Sequence, residues 1–206
     1  RTHDVLWGPL ADVKTADVTV KARLLPLENE TSLTVSTTPL PLAHGLVLSL
    51  PEAFWLSSDA ALSAAMPWAQ LVGAPAAKLP AGDADALRRD ATARIQKALD
   101  TIEGQLGWNG LSAWPWGSPS LMATTWALDF VLTLRENGRD VRPELVRRLA
   151  DAIRNALDGL TPDTLGQART AAWALAQLTR EGTLEAERIE ALRNRMDARE
   201  LDWRND

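Results

Sequence analysis

The feature that most limits how this chain can fold is an echo within it. Thr124–Gly138 reads TTWALDFVLTLRENG and Thr170–Thr183 reads TAAWALAQLTREGT, with Trp126 and Trp173 in the same slot. Each copy is an apolar run at helical spacing that ends in a helix stop and a polar turn. Units of that kind recur where helical hairpins stack side by side, each covering the apolar face its neighbour leaves open.

The rest of the chain beyond residue 57 follows the same grammar. Ser58 or Asp59 can cap a helix over Ala60–Val72, which Gly73 and Pro75 end. Asp83 caps a long helix from Ala84 to about Gln105, with Leu87, Ala91, Ile95, Ala98, Leu99 and Ile102 near helical spacing. A loop of glycines, prolines and tryptophans follows, and Ser118 or Ser120 then caps a helix to about Asn137, where Gly138 supplies a left-handed stop. Pro143 opens the next helix, whose stripe is Leu145, Leu149, Ile153 and Ala156, and Gly159, Pro162 and Gly166 break it. Ala168–Arg180 and Glu185–Glu200 complete the set, the last with Ile189, Leu192 and Met196 as its seam.

The first fifty residues have a different texture. Ala16–Leu24 and Thr31–Ser36 alternate with period two, and Pro26 with Glu28-Asn29-Glu30 connects them, which predicts an antiparallel pair. An isolated hairpin is marginal in water, so it packs on the helical part or belongs to an adjoining β domain. The expected division is a β-rich segment over 1–50 and a helical region over 51–206.

Composition closes off several classes of function. At 206 residues and 46% hydrophobic, the chain can bury a core without staples. A net charge of -5, with Lys/Arg interspersed among Asp/Glu, argues against a nucleic-acid or anionic-membrane surface. There is no cysteine, so disulfides, thiolate metal sites, cysteine nucleophiles and thioesters are all out of reach of these residues. No apolar run approaches the roughly 20 residues that span a bilayer. A start at Arg1, without methionine or signal peptide, suggests a piece of something longer.

Trp108, Trp114 and Trp116 stand on the irregular loop and admit two readings. They form an exposed platform for a sugar ring or a partner's apolar anchor, or they are half-buried plugs at one end of the helical stack. Trp126 and Trp173, on helical stripes, are expected in the core. Asp59, Asp129 and Glu136 are the acids near that end, and a glycosidase would need two of them facing each other at about 5 to 9.5 Å. Nothing in the spacing pairs them, and Asp129 reads better as a helix residue bonded to a loop amide. His44 has no second histidine at metal-ligand spacing. Ser57, Ser58 and Ser63 lack a partnered base, and helix capping accounts for Ser58. Gly107, Gly110 and Gly117 do not follow a strand or precede Gly-Lys-Ser/Thr, so they form no phosphate loop. Arg147-Arg148 and Arg193/Arg195 read as solvated helix faces. No cofactor or metal is expected.

From Ala84 to about Asn194 the sequence resembles the thioester (complement-like) domain of bacterial alpha-2-macroglobulins. That family has a helix, a glycine-rich turn ending in Phe-x-x-Trp, a Ser/Pro loop, and a Leu-Thr-Ala-Tyr-Ala-x-x-Phe-Leu-like helix. Here these stand as Gly110-Leu111-Ser112-Ala113-Trp114, then Ser118-Pro119-Ser120-Leu121, then Thr124-Thr125-Trp126-Ala127-Leu128-Asp129-Phe130. Glu136–Pro143 resembles the family's turn before its next helix, and Leu33–Leu46 resembles the approach to its reactive centre. Aligning Pro67 with the proline of the family's next helix puts Ser57-Ser58-Asp59-Ala60 where Cys-x-Glu-Gln would be, and Ser63 on a serine of the motif. The family often uses a downstream histidine in acyl transfer, whereas His3 and His44 both lie upstream.

The resemblance implies a mainly α fold: an α/α toroid-like stack of helical hairpins, incomplete at this length, with a small N-terminal antiparallel β segment. It implies a non-enzymatic domain from which the covalent trap is lost, in a periplasmic and envelope-associated parent, anchored as a lipoprotein. Its partners would be proteases or envelope proteins, met through protein–protein contacts. It also makes the tryptophan loop the turn that joins two hairpins, which favours the plug. The rival reading is a carbohydrate-binding or glycan-degrading α/α barrel that uses the loop for stacking.

Overall fold

The structure is a computed structural model that describes residues 57–72 and 84–198. Among the described residues are six helices and one short hairpin: α1 (Ser58–Val72), α2 (Ala84–Gln105), β1 (Leu106–Gly107), β2 (Gly110–Leu111), α3 (Leu121–Glu136), α4 (Pro143–Asp158), α5 (Leu165–Glu181) and α6 (Ala186–Ala198). The mainly helical fold expected from the sequence is what is seen. The β-rich segment over 1–50, with its antiparallel pair, lies outside the described residues, as do His3, His44, Gly73, Pro75 and Asp83.

Local chemistry sets the helix limits. At α3, the Ser120 hydroxyl accepts the Ala123 N–H, and Gly138 turns left-handed at φ +76°. The Gly138 and Arg139 N–H groups then return to the carbonyls of Arg135 and Leu134, closing the helix end. Pro143 starts α4 and Thr164 caps α5. Gly166, expected to break a helix, instead lies inside the first turn of α5, because the cap falls two residues before it. Pro67 sits within α1, where it withholds one helical hydrogen bond.

Packing is by alternating hairpins. α1 packs on α2, α3 on α4 and α5 on α6, while α1, α3 and α5 lie side by side with α3 in the middle. This row of three hairpins is compatible with part of an α/α toroid; ring closure is not seen among the described residues. The core runs along the row through Leu62, Trp68, Ile102, Leu128, Phe130, Leu149, Ile153 and Leu178. Trp68 is wholly buried, with the Arg94 guanidinium 5.7 Å from its ring centroid.

Two expectations about stripes need correction. Ile189 is 44% exposed, so the seam of α6 narrows to Leu192 and Met196. Charge supplements it, since Arg188 holds Asp158 and Glu185, and Arg195 donates to the Leu160 carbonyl. Trp126 and Trp173 are half-buried rather than core residues; Trp126 packs against the cluster from its edge. Each helix thus carries its indole beside the buried stripe and not within it.

Candidate functional site

Two tight turns build the loop between α2 and α3. In the first, Leu106 and Gly107 pair with Leu111 and Gly110, leaving Trp108 and Asn109 at the tip. Gly110 permits this turn: its φ is +119°, and a Cβ there would stand 2.7 Å from the Thr124 hydroxyl. In the second, the Gly117 N–H donates to the Trp114 carbonyl at 2.9 Å, placing Pro115 and Trp116 at the corner. A segment expected to be wholly irregular therefore contains a two-residue hairpin.

Further hydrogen bonds tie both turns down. The Ser112 hydroxyl reaches the Gly117 carbonyl at 2.8 Å. Thr124 accepts the Leu111 N–H at 2.9 Å and donates to the Ser120 carbonyl at 2.7 Å, which fastens β2 to the first turn of α3. Arg148 of α4 donates to the Leu106 carbonyl at 2.8 Å, and so does more than face solvent. Arg195 likewise bonds a carbonyl, while Arg147 and Arg193 lie on exposed helix faces as expected, each paired with a glutamate one turn back, Glu144 and Glu190.

The start of α1 docks on this loop. Ser58 is fully buried; its N–H donates to the Ala113 carbonyl at 2.9 Å and its hydroxyl to the Ser112 carbonyl at 2.7 Å. Ser57 is buried beside it, and Asp59 and Ala60 are half-buried. Segments more than 50 residues apart in sequence thus meet at the slot Ser57–Ala60. Neither Ser58 nor Asp59 caps the helix, contrary to the expectation from sequence, because α1 begins at Ser58 and both lie within its first turn; the Ser58 hydroxyl donates to the loop instead. That proton points at a peptide carbonyl, which cannot act as a general base, so nothing here activates Ser58 as a nucleophile. Ser63 donates to the Asp59 carbonyl one turn back.

The three loop tryptophans face solvent. Trp108 is 84%, Trp114 61% and Trp116 89% exposed, and Met122 beside them is 52% exposed. The half-buried plug favoured by the resemblance is therefore not what is seen. The turns project the rings outward, while the loop is sealed by its backbone and by Leu106 and Leu111, which are buried.

The acids of the rival reading are engaged elsewhere. Asp129 does not bond a loop amide. Arg180 of α5 donates to Asp129 at 2.5 Å, to Thr133 at 3.0 Å, to Gln177 at 3.0 Å, and with two nitrogens to Glu136 at 2.7 and 2.5 Å. These hydrogen bonds hold the Glu136 carboxyl below its ordinary range and push the guanidinium up. Both acids thus converge on one cation and clasp α3 to α5. A second such knot joins Glu185, just before α6, to Arg154 of α4 and to Arg188. Neither knot was legible in the sequence, because each links residues about 30 to 50 positions apart. A depression of about 100 Å³ between α4, α5 and α6 is lined by Leu157, Pro162, Leu175, Leu192 and Arg188, and by one acid, Asp158, which Arg188 holds. Among the described residues no group of acids and histidines is placed to hold a metal, and no helix is long and apolar enough to cross a membrane.

With this geometry in hand, comparison with known proteins gives one kind of likeness. No protein-family model matches the chain, and no curated protein does. Among solved structures, it is similar to Salmonella alpha-2-macroglobulin reacted with methylamine, at 20% identity and a TM-score of 0.60 over 75% of this chain. The chain spans 11% of that protein's length. At that identity the likeness shows the fold alone: the helices are arranged as in part of the Salmonella protein.

Proposed function

We propose that this chain is a non-catalytic domain of a bacterial alpha-2-macroglobulin-like protein from which thioester chemistry is lost. It acts through protein–protein contacts, toward proteases or envelope proteins, in a periplasmic parent anchored as a lipoprotein. One observation carries the reading. In the slot that the resemblance assigns to the reactive cysteine and glutamine, the buried Ser58 hydroxyl is bonded to the Ser112 carbonyl, and the chain has no cysteine. A thioester needs a thiol to condense with a glutamine amide, and here the same helix start is latched to the loop by hydrogen bonds alone.

The experiment is incubation with methylamine, the nucleophile with which the Salmonella protein was reacted. The intact mass of this chain should stay unchanged, and its unfolding midpoint likewise. A mass gain of one methylamine, mapped near Ser57–Ala60, would sink the reading. The glycan-degrading version of the rival is disfavoured by the geometry of its acids. Acid–base hydrolysis needs one carboxyl kept protonated near neutrality, whereas Arg180 stabilises Glu136 in its ionised form.

A further inference from the structure

We propose that the loop bearing Trp108, Trp114 and Trp116 is a binding site for a neutral carbohydrate chain. The rings are presented, not merely uncovered. Each sits on or beside a tight turn whose backbone is held by the Ser112, Thr124 and Ser58 bonds, so little ordering is needed when a ligand arrives. Charge points to the ligand's chemistry. From Leu106 to Leu128 the chain carries no Asp, Glu, Lys, Arg or His over 23 residues, although 24% of all residues are charged. The loop itself offers no ion to be stripped of water, and Arg148, which reaches its base from α4, is already bonded to the Leu106 carbonyl, so a neutral ligand suits these rings better than a charged one.

The third observation is polar. Asn109 at the first tip and Ser118 after the second turn are exposed, and neither side chain makes a hydrogen bond among the described residues. Flat aromatic faces beside a free amide and a free hydroxyl match a sugar, whose C–H faces stack on indole while its hydroxyls exchange hydrogen bonds. A lipid bilayer fits less well, since burying the Asn109 amide in hydrocarbon would leave it unpaired.

The test uses the full chain and titration calorimetry with three hexasaccharides: β-1,4-linked N-acetylglucosamine, β-1,4-linked glucose and α-1,4-linked glucose. At least one should bind saturably, and Trp114→Ala and Trp116→Ala should each weaken it by about tenfold or more. Trp173→Ala, on α5 and outside the loop, should leave binding unchanged. Raising salt to roughly 0.5 M should also leave it unchanged, because no charge takes part. Circular dichroism should show the same helicity in every variant, since the rings lie outside the core. Absence of binding to all three sugars overturns the proposal, as does binding that survives the Trp114→Ala/Trp116→Ala double change. Partition into phosphatidylcholine vesicles that these changes abolish, without sugar binding, also overturns it. None of these outcomes bears on the methylamine result, so the two readings fail separately.

Discussion

Helices α3 and α5 carry the same sequence echo but live in different surroundings. α3 is buried at ten of its sixteen positions and α5 at six of its seventeen, so one is a central helix and the other an outer one. The slots that agree are the stripe itself: Ala127 and Ala174, Leu128 and Leu175, Val131 and Leu178 are buried in both. The slots that differ report the number of neighbours. Leu132 and Leu134 of α3 are wholly buried, where α5 has Thr179 and Glu181. α3 lies between α1 and α5 with α4 behind it, so it is buried on more sides than α5, and its polar Asp129, Thr133 and Glu136 are taken up by Arg180. A shared stripe says that a helix packs; the residues beside the stripe say how many partners it has.

Phe130 and Gln177 fill the same slot of the echo, and their removal should separate the two helices most. Phe130→Ala should cost about 3–5 kcal/mol in urea unfolding, the usual loss for a large ring removed from a core that cannot collapse around it. Gln177→Ala should cost only about 1 kcal/mol, one hydrogen bond's worth, although Gln177 is also buried. Equal costs would mean that α3 and α5 are alike in their packing after all. Next come the two tryptophans of the echo. Trp126 packs against the core cluster from its edge, so Trp126→Ala should cost about 2 kcal/mol, near half the value for a fully buried ring. Trp173→Ala should cost less, because Trp173 is half-buried outside that cluster. The reverse order would place the outer face of α5 against something yet to be accounted for.

What the sequence made legible follows the range of the interactions. Ser120 as a cap, Gly138 as a left-handed stop and Pro143 as a helix opener act within a turn, and each stands where its chemistry put it. The Ser58 latch and the Arg180 clasp span about 50 residues, and no local pattern announces them. Arg180 in particular reads as one more basic residue near a helix end. Exposure of the loop tryptophans was not readable either, because a ring beside glycines and prolines can turn inward or outward with the same spacing. Trp68, the largest fully buried side chain among the described residues, has only its place on α1 to mark it.

Arg180 joins the two compared helices directly, so its loss should loosen α5 from α3 more than it weakens either alone. Arg180→Ala should cost about 1–2 kcal/mol, discounted because the side chain is 30% exposed and its ion pairs are partly screened. Arg180→Lys should recover little, since an ammonium cannot span Asp129, Thr133, Gln177 and both Glu136 oxygens together. Hydrogen exchange would locate the effect. Faster exchange in α5 and α6 with α3 unchanged is the expected outcome, and uniform loss across all three would show that the clasp supports the whole row.

The smallest effect separates the two charge knots by pH. Hydrogen bonds from Arg180 hold Glu136 below the ordinary 4.5, against an opposing contribution from burial; those from Arg154 and Arg188 do the same for Glu185. A carboxyl whose folded value lies below its unfolded one binds fewer protons when folded. Its stabilisation is therefore complete above about pH 4.5 and fades as pH falls through the lowered value. The thermal midpoint should accordingly drop as acid is added below that point. Glu185 has a side chain only 10% exposed and Glu136 one 49% exposed, so water screens the second far more. Glu185→Gln should then flatten the acid side of the curve more than Glu136→Gln does. If Glu136→Gln flattened it more, the α3–α5 clasp would outweigh the α4–α6 knot despite its exposure, and the outer helices would be held chiefly through α3.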